Sequence, residues 1–176
     1  SISCLDEPSL IEELKSIVVW YDSSDILSGL PIDYRIKSFQ AILRKYQRAS
    51  GESRVERVFN DILGFRTLCD NYEEILRLRE AKNLSVADMS NGNTHDDGYR
   101  GVHIYYQYGH RHYPIEIQYN TYYDRQMNNW LHKYVWSKHY PTNVGITLRR
   151  EYERGRIRTE CECEEVLWDV LSDCKK

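Results

Sequence analysis

The chain has 176 residues, of which 41% are apolar and 29% charged, and 24 basic against 27 acidic residues leave a net charge of −3. This composition suits one folded domain and excludes a disordered chain, a collagen and a disulfide-stapled mini-fold. No apolar run approaches the ~20 residues of a membrane span, and Ser1 to Pro8 lack a basic-then-apolar leader pattern, so no membrane partner is expected.

In chain order, Ser9 with Glu12 reads as a capping box opening a helix over about 9–20, where Leu10, Ile11, Leu14, Ile17 and Val18 keep helical spacing. Residues 21–34 read as a polar connection. A second helix is expected over about 36–49, with Phe39, Ile42, Leu43 and Tyr46 on one stripe. Lys37, Arg44 and Arg48 fall opposite that stripe, with Lys45 flanking them. Asp61 to Cys69 reads as a strand, Asp70 with Glu73 as a box starting a helix to about Lys82, and Leu84 to Met89 as a short strand. Ser90 to Gly98 is dense in turn formers and reads as a loop.

Two alternating strands follow, 100–108 and 112–119, joined by a hairpin at Gly109–His112. In the second, Glu116 and Gln118 point away from Ile115, Ile117 and Tyr119. Residues 122–139 read as a helix. Thr159 and Glu162 cap a last helix over about 160–174, striped by Cys163, Val166, Leu167, Val170, Leu171 and Cys174. The fold class expected is α+β, a mixed, mostly antiparallel sheet covered by helices, as a single domain over 1–176. The terminal stripe packs on the chain's own core or makes a homo-oligomer contact. Five cysteines with no CxxC pair indicate neither a disulfide framework nor zinc, and a reducing, cytoplasmic compartment is the expectation.

The small net charge hides an asymmetry. Residues 1–34 carry one base and seven acids, net −6, whereas 35–58 carry seven bases and two acids, net +5. One basic segment in an otherwise acidic chain points to a local anionic ligand more than to a broad nucleic-acid face. Four features lie in or after it: Arg35-Ile-Lys37 at a helix start; Asp61 in Asp61-Ile-Leu-Gly64-Phe-Arg66; the loop Asp97-Gly98-Tyr99-Arg100-Gly101-Val102-His103; and Glu116-Ile-Gln118 on a strand. Any one carboxylate is ordinarily a solvated surface charge. Together with lysines and an edge aromatic, Asp61 and Glu116 suggest metal-assisted phosphoryl chemistry, with Mg²⁺ the ion that hard oxygen ligands suit.

Tyr34-Arg35-Ile36-Lys37-Ser38, Asp61-Ile62-Leu63-Gly64-Phe65-Arg66, Gly98-Tyr99-Arg100-Gly101-Val102-His103 and Glu116-Ile117-Gln118-Tyr119-Asn120-Thr121 occur in this order. In them the chain resembles the synthetase domain of the RelA/SpoT family, the alarmone (p)ppGpp synthetases, and among these the small ones. His132 matches a further family histidine. The resemblance implies a nucleotidyltransferase-like synthetase fold and transfer of the β,γ-pyrophosphate of ATP to the 3′-hydroxyl of GDP or GTP, releasing AMP. It implies that Arg35 and Arg66 flank the adenine and that Lys37 and Lys45 hold the ATP phosphates. Asp61 and Glu116 would bind Mg²⁺, Glu116 also helping to deprotonate the acceptor. Tyr99 would stack on the acceptor base, with His103 near its phosphates and Gln118 in support. A homo-oligomer is implied as well.

The chain departs from the family pattern at Ala41, His95, Asp97, Asn120, Arg125 and Leu131. Most of these lie near the acceptor positions, where added acids would repel a phosphorylated nucleotide. Two other readings therefore stay open. One is a divergent toxic-type synthetase acting on an adenosine nucleotide or a tRNA 3′ end, for which tRNA would want a wider basic surface. The other is a nucleotide-binding module with a decayed site. Strict strand alternation also sets Asp61 and Arg66 on opposite faces, a conflict that a bend near Gly64 or a long Arg66 reaching round would have to resolve.

Overall fold

A computed structural model of the chain describes residues 6–23, 33–49, 58–92, 94–109 and 112–173. Among these, helix α1 spans Glu7–Asp22, strand β1 Asp33–Ile36, helix α2 Phe39–Arg48 and strand β2 Leu63–Leu68. Helix α3 (Glu73–Arg77), strands β3 (Leu84–Asp88), β4 (Val102–Tyr106) and β5 (Ile115–Asn120), and helices α4 (Tyr122–Tyr134), α5 (Thr142–Glu153) and α6 (Glu160–Asp173) follow. The five strands form one sheet in the order β1-β2-β5-β4-β3. β1 is antiparallel to β2, pairing Asp33 with Arg66 and Arg35 with Gly64. The Cys69 amide donates to the Asn120 carbonyl at 3.0 Å, joining the C-terminal ends of β2 and β5, so those two strands run parallel. The sheet is therefore mixed, and the α+β class stands.

Several boundaries differ from the sequence expectations, each for a local reason. Helix α1 starts two residues before Ser9, because the Asp6 carboxylate accepts from the Ser9 amide at 3.1 Å and its hydroxyl at 2.7 Å. The second helix starts at Phe39, not 36: Ser38 is its N-cap and accepts from the Ala41 amide. The residues before it form β1, a four-residue strand hidden inside an apparently polar connection because its partner lies far along the chain. Asn71, not Asp70, accepts from the Glu73 amide, and α3 stops at Arg77 before a 3-10 turn at Leu78–Glu80. The helix expected to 139 ends at Tyr134, and a 3-10 turn at Trp136–Lys138 closes on His139 in the left-handed region, φ 59°.

Helix α5 is a second element that sequence reading missed. Its first turns hold Thr142, Val144, Gly145, Ile146 and Thr147, all weak helix formers. Packing makes it: Val144, Gly145, Leu148, Arg149 and Tyr152 are all buried. The capping box of the last helix forms as expected. The Thr159 amide donates to Glu162 at 3.0 Å and the Glu162 amide to the Thr159 hydroxyl at 3.3 Å. Where the hairpin was expected, the His112 amide donates to the Gly109 carbonyl at 2.9 Å; residues 110 and 111 lie outside the described residues.

The chain divides into two compact units: Ser1–Thr67, Leu78–Val86 and His103–Gln118; and Leu68–Arg77, Ala87–Val102 and Tyr119–Lys176. In the first, Ile42, Phe59 and Ile62 form the core, with Tyr46, Val58 and Tyr113 packed against it. In the second, Met127, Trp130 and Leu131 of α4, Val144, Leu148 and Tyr152 of α5, and Cys163 and Leu167 of α6 form a larger core. Val166, Val170 and Leu171 pack on that cluster. The stripe of α6 is thus covered by its own unit, and Cys163 is a core residue with its thiol pushed up to about 11 by burial. Cys174 lies outside the described residues. No helix of the described residues is long and apolar enough to cross a membrane.

Candidate active site

The first unit holds two clusters of charged and polar side chains. In one, Asp61 sits in the turn ahead of β2 and accepts from two lysines. Lys37 donates to Oδ2, and Lys45 donates to Oδ1 at 2.8 Å. Lys37 comes from the link between β1 and α2, where its amide donates to the Ile62 carbonyl at 2.8 Å. Lys45 comes from the second turn of α2. The expected basic helix face therefore splits: Arg44 and Arg48 are exposed, while Lys37 and Lys45 converge on one carboxylate. Burial pushes the Asp61 carboxyl up, but the hydrogen bonds and charges of Lys37 and Lys45 outweigh it and hold it below the usual carboxylate range. Two ammonium groups on one carboxylate leave a net positive charge, a local field for phosphate.

The second cluster lies on β4 and β5. Glu116 is buried, 7% exposed, yet its surroundings are polar. Its Oε1 accepts from the Tyr105 hydroxyl at 3.0 Å and lies 3.0 Å from Nδ1 of His103; its Oε2 accepts from the Gln118 amide at 2.8 Å. Gln118 in turn accepts from Nε of Arg66 at 3.1 Å. Strand alternation puts Glu116 and Gln118 on one face of β5, as the pattern predicted, and His103 and Tyr105 on one face of β4. Burial raises the Glu116 carboxyl, and the His103 contact, then Gln118 and Tyr105, more than offset it, so the group is held below its ordinary value. The conflict between Asp61 and Arg66 dissolves because Asp61 precedes the strand. Alternation applies to Arg66 alone, which turns towards Gln118.

Tyr99 belongs to the second unit. Gly98 before it takes a φ of 92°, which an L side chain rarely adopts, and a Cβ there would meet the Gly145 carbonyl oxygen at 2.5 Å. The Tyr99 ring lies 6.2 Å from the Trp136 ring, and Asn120 donates to its hydroxyl at 3.4 Å. The acids of this loop are internally engaged. Asp96 bonds Arg100 at 2.8 Å and the Gly98 amide at 2.9 Å, and Asp97 accepts from the Tyr99 amide at 3.1 Å. Asn120, also a departure from the family pattern, is buried and donates to the Arg100 carbonyl at 2.8 Å. Leu131 is a core residue. Arg35 lies on β1 opposite Gly64. Tyr105 was not singled out from sequence, because an aromatic in an alternating strand carries no signal of its partner. Arg149, fully buried, was missed with its helix.

Among the described residues no group of three or more His, Cys, Asp or Glu forms a metal cage. Asp61 and Glu116 are oxygen donors of the kind a hard cation takes; here Lys37 and Lys45 engage the first, and His103, Tyr105 and Gln118 the second.

Fold and site define an α+β domain with paired lysines and clamped carboxylates, a set suited to phosphate groups. A family model for the region found in RelA / SpoT proteins matches residues 34–140, and the chain belongs to that family. It is 28% identical to the GTP pyrophosphokinase YjbM of Bacillus subtilis (strain 168), over 90% of this chain and 82% of that protein. A crystal structure of small alarmone synthetase 1 from Bacillus subtilis aligns with a TM-score of 0.47 at 22% identity, covering 96% of this chain and 94% of that one. The same enzyme bound to its product pppGpp aligns with a TM-score of 0.47 at 19% identity, covering 96% and 90%.

Proposed function

We propose that the chain is a (p)ppGpp synthetase, transferring pyrophosphate from ATP to the 3′-hydroxyl of GDP or GTP. The acceptor oxygen attacks the β-phosphorus, the bond from that phosphorus to the α,β-bridging oxygen breaks, AMP leaves and the hydroxyl proton is released. The observation that carries this reading is that Arg35, Lys37, Lys45, Asp61, Arg66, Tyr99, His103, Glu116 and Gln118 all fall inside the family match at 34–140.

Such a transfer needs positioning and charge neutralisation more than covalent help. Lys37 and Lys45 hold the donor phosphates, and Arg35 and Arg66 flank the adenine. Tyr99 stacks on the acceptor base, with His103 and Gln118 at the acceptor. Asp61 and Glu116 would hold Mg²⁺, which supplies charge neutralisation on the phosphate oxygens. Glu116, saturated by His103, Tyr105 and Gln118 and held below its usual range, is a weak proton acceptor. That favours an orienting and electrostatic role over general-base work.

A repelled acceptor was the motive for the toxic-type alternative. The engagement of Asp96 by Arg100 and of Asp97 by the Tyr99 amide weakens it. Assembly as a homo-oligomer in the cytoplasm remains part of the proposal; the exposed Trp168 on α6, at 66%, offers a contact. The test is an assay with labelled ATP and Mg²⁺, offering GDP, GTP, GMP, ATP and tRNA separately. Labelled product with GDP or GTP is expected; label appearing only with ATP or tRNA overturns the reading.

A further inference from the structure

Arg149 lies outside the family-matched stretch, in the helix the sequence did not reveal, and its side chain is fully buried. Its hydrogen bonds reach the loop that carries Tyr99 and the helix beside that loop. Nε donates to the Gly98 carbonyl at 2.7 Å, Nη2 to Oδ1 of Asn128 at 2.6 Å and Nη1 to Oδ1 of Asp124 at 2.9 Å. Asn128 passes the restraint on: its Oδ1 accepts from the Arg100 amide at 3.2 Å and its Nδ2 donates to the Arg100 carbonyl at 2.7 Å. Residue 98 is thus fastened directly and residue 100 through Asn128. Between them stands Tyr99.

The same helix closes the loop from another side. A Cβ on Gly145 would meet the Asp97 carbonyl oxygen at 2.1 Å, so α5 and the loop touch backbone to backbone. A guanidinium suits this task because its planar fork donates in several fixed directions at once, which an ammonium does not. A buried charge costs much desolvation, and its retention here is matched by the Asp124 carboxylate and two further acceptors.

We infer that Arg149, with Gly145, is a positioning residue for acceptor use: it fixes the backbone on both sides of Tyr99 and so sets the orientation of the ring. This rests on the acceptor role proposed for Tyr99. A stacking platform held rigidly loses no ordering entropy when the base arrives, so loosening the loop raises the acceptor KM and leaves the ATP site unaffected.

The test uses the full chain and three variants, Arg149→Lys, Gly145→Ala and Tyr99→Ala, with two readouts. Hydrogen exchange of the amides of residues 98–101 reports the clamp, and acceptor KM beside affinity for a non-hydrolysable ATP analogue reports its use. Arg149→Lys and Gly145→Ala are expected to speed exchange in 98–101 at least tenfold. The acceptor KM should rise about tenfold, with ATP-analogue affinity within twofold. Gly145→Ala carries the test if Arg149→Lys does not fold, since alanine favours the helix while intruding on the loop. Unchanged exchange in 98–101 overturns the clamp. Faster exchange with an unchanged acceptor KM, where Tyr99→Ala does raise it, overturns the positioning role. Faster exchange with Tyr99→Ala leaving acceptor use intact overturns the acceptor assignment of Tyr99 and leaves the clamp standing.

Discussion

Lys45 on α2 donates to the Asp61 carboxylate at 2.8 Å, which fastens the basic helix to the turn that leads into β2. Lys37 holds the other carboxylate oxygen, so removing the Asp61 charge leaves two ammonium groups facing each other across a neutral amide. Asp61→Asn is therefore expected to lower turnover by at least ~100-fold, the scale on which single preorganised electrostatic groups act. The pair is partly solvated, so the fold should survive. Initial rates and a thermal melt check both; near-normal turnover would remove Asp61 from the site.

Acid should loosen the first unit. The carboxyls of Asp61 and Glu116 are held below their ordinary values in the folded chain. The unfolded chain titrates near the model-peptide values, about 3.9 for Asp and about 4.3 for Glu. A depressed folded value contributes stability that is complete above the unfolded value and is lost as pH falls through the folded one. Urea midpoints should therefore fall as pH drops from 5 to 3, each pH a chosen condition around the ordinary carboxylate values. Glu116→Gln should fall less steeply over the same interval. Parallel slopes for the two proteins would contradict the clamp around Glu116.

Truncating Tyr99 should separate the two nucleotides. Base–aromatic stacking is worth ~1–3 kcal/mol per base by alanine substitution. Tyr99→Ala should weaken acceptor use by roughly ten- to a hundred-fold, at about 1.4 kcal/mol per decade, and change binding of an ATP analogue little. Tyr99→Phe should be mild, since the bond from Asn120 to the hydroxyl is long, 3.4 Å. Loss of analogue binding with acceptor use spared would reverse the two assignments.

Leu148 lies at 0% exposure where α4, α5 and α6 meet. Leu148→Ala should destabilise by about 2–5 kcal/mol, the transfer term plus the cavity left behind. Trp168→Ala, on the exposed side of α6, should stay within about 0.5 kcal/mol for an isolated chain. Urea denaturation of both variants at low protein concentration is the check. A larger loss at Trp168 that grows with protein concentration would place that side chain in a subunit contact.

Local patterning made much of the fold and site legible. The alternation in Ile115-Glu-Ile-Gln put Glu116 and Gln118 on a common face, and Thr159 with Glu162 announced the last helix, because strand period and capping act over a few residues. The ordered motifs held every candidate side chain from Arg35 to Gln118 except Lys45, which lay beside the basic face of the second helix. Tertiary structure alone decided the rest. β1 exists only because Asp33–Ile36 pairs with β2, about thirty residues away in the chain, and that pairing takes Lys37 off the helix and delivers it with Lys45 to Asp61. Helix α5 exists because burying Val144, Leu148 and Tyr152 outweighs the poor propensity of its first turns. Arg149 follows from α5: its partners Gly98, Asp124 and Asn128 are scattered in sequence, and a long-range hydrogen-bond network leaves no periodic trace in one chain.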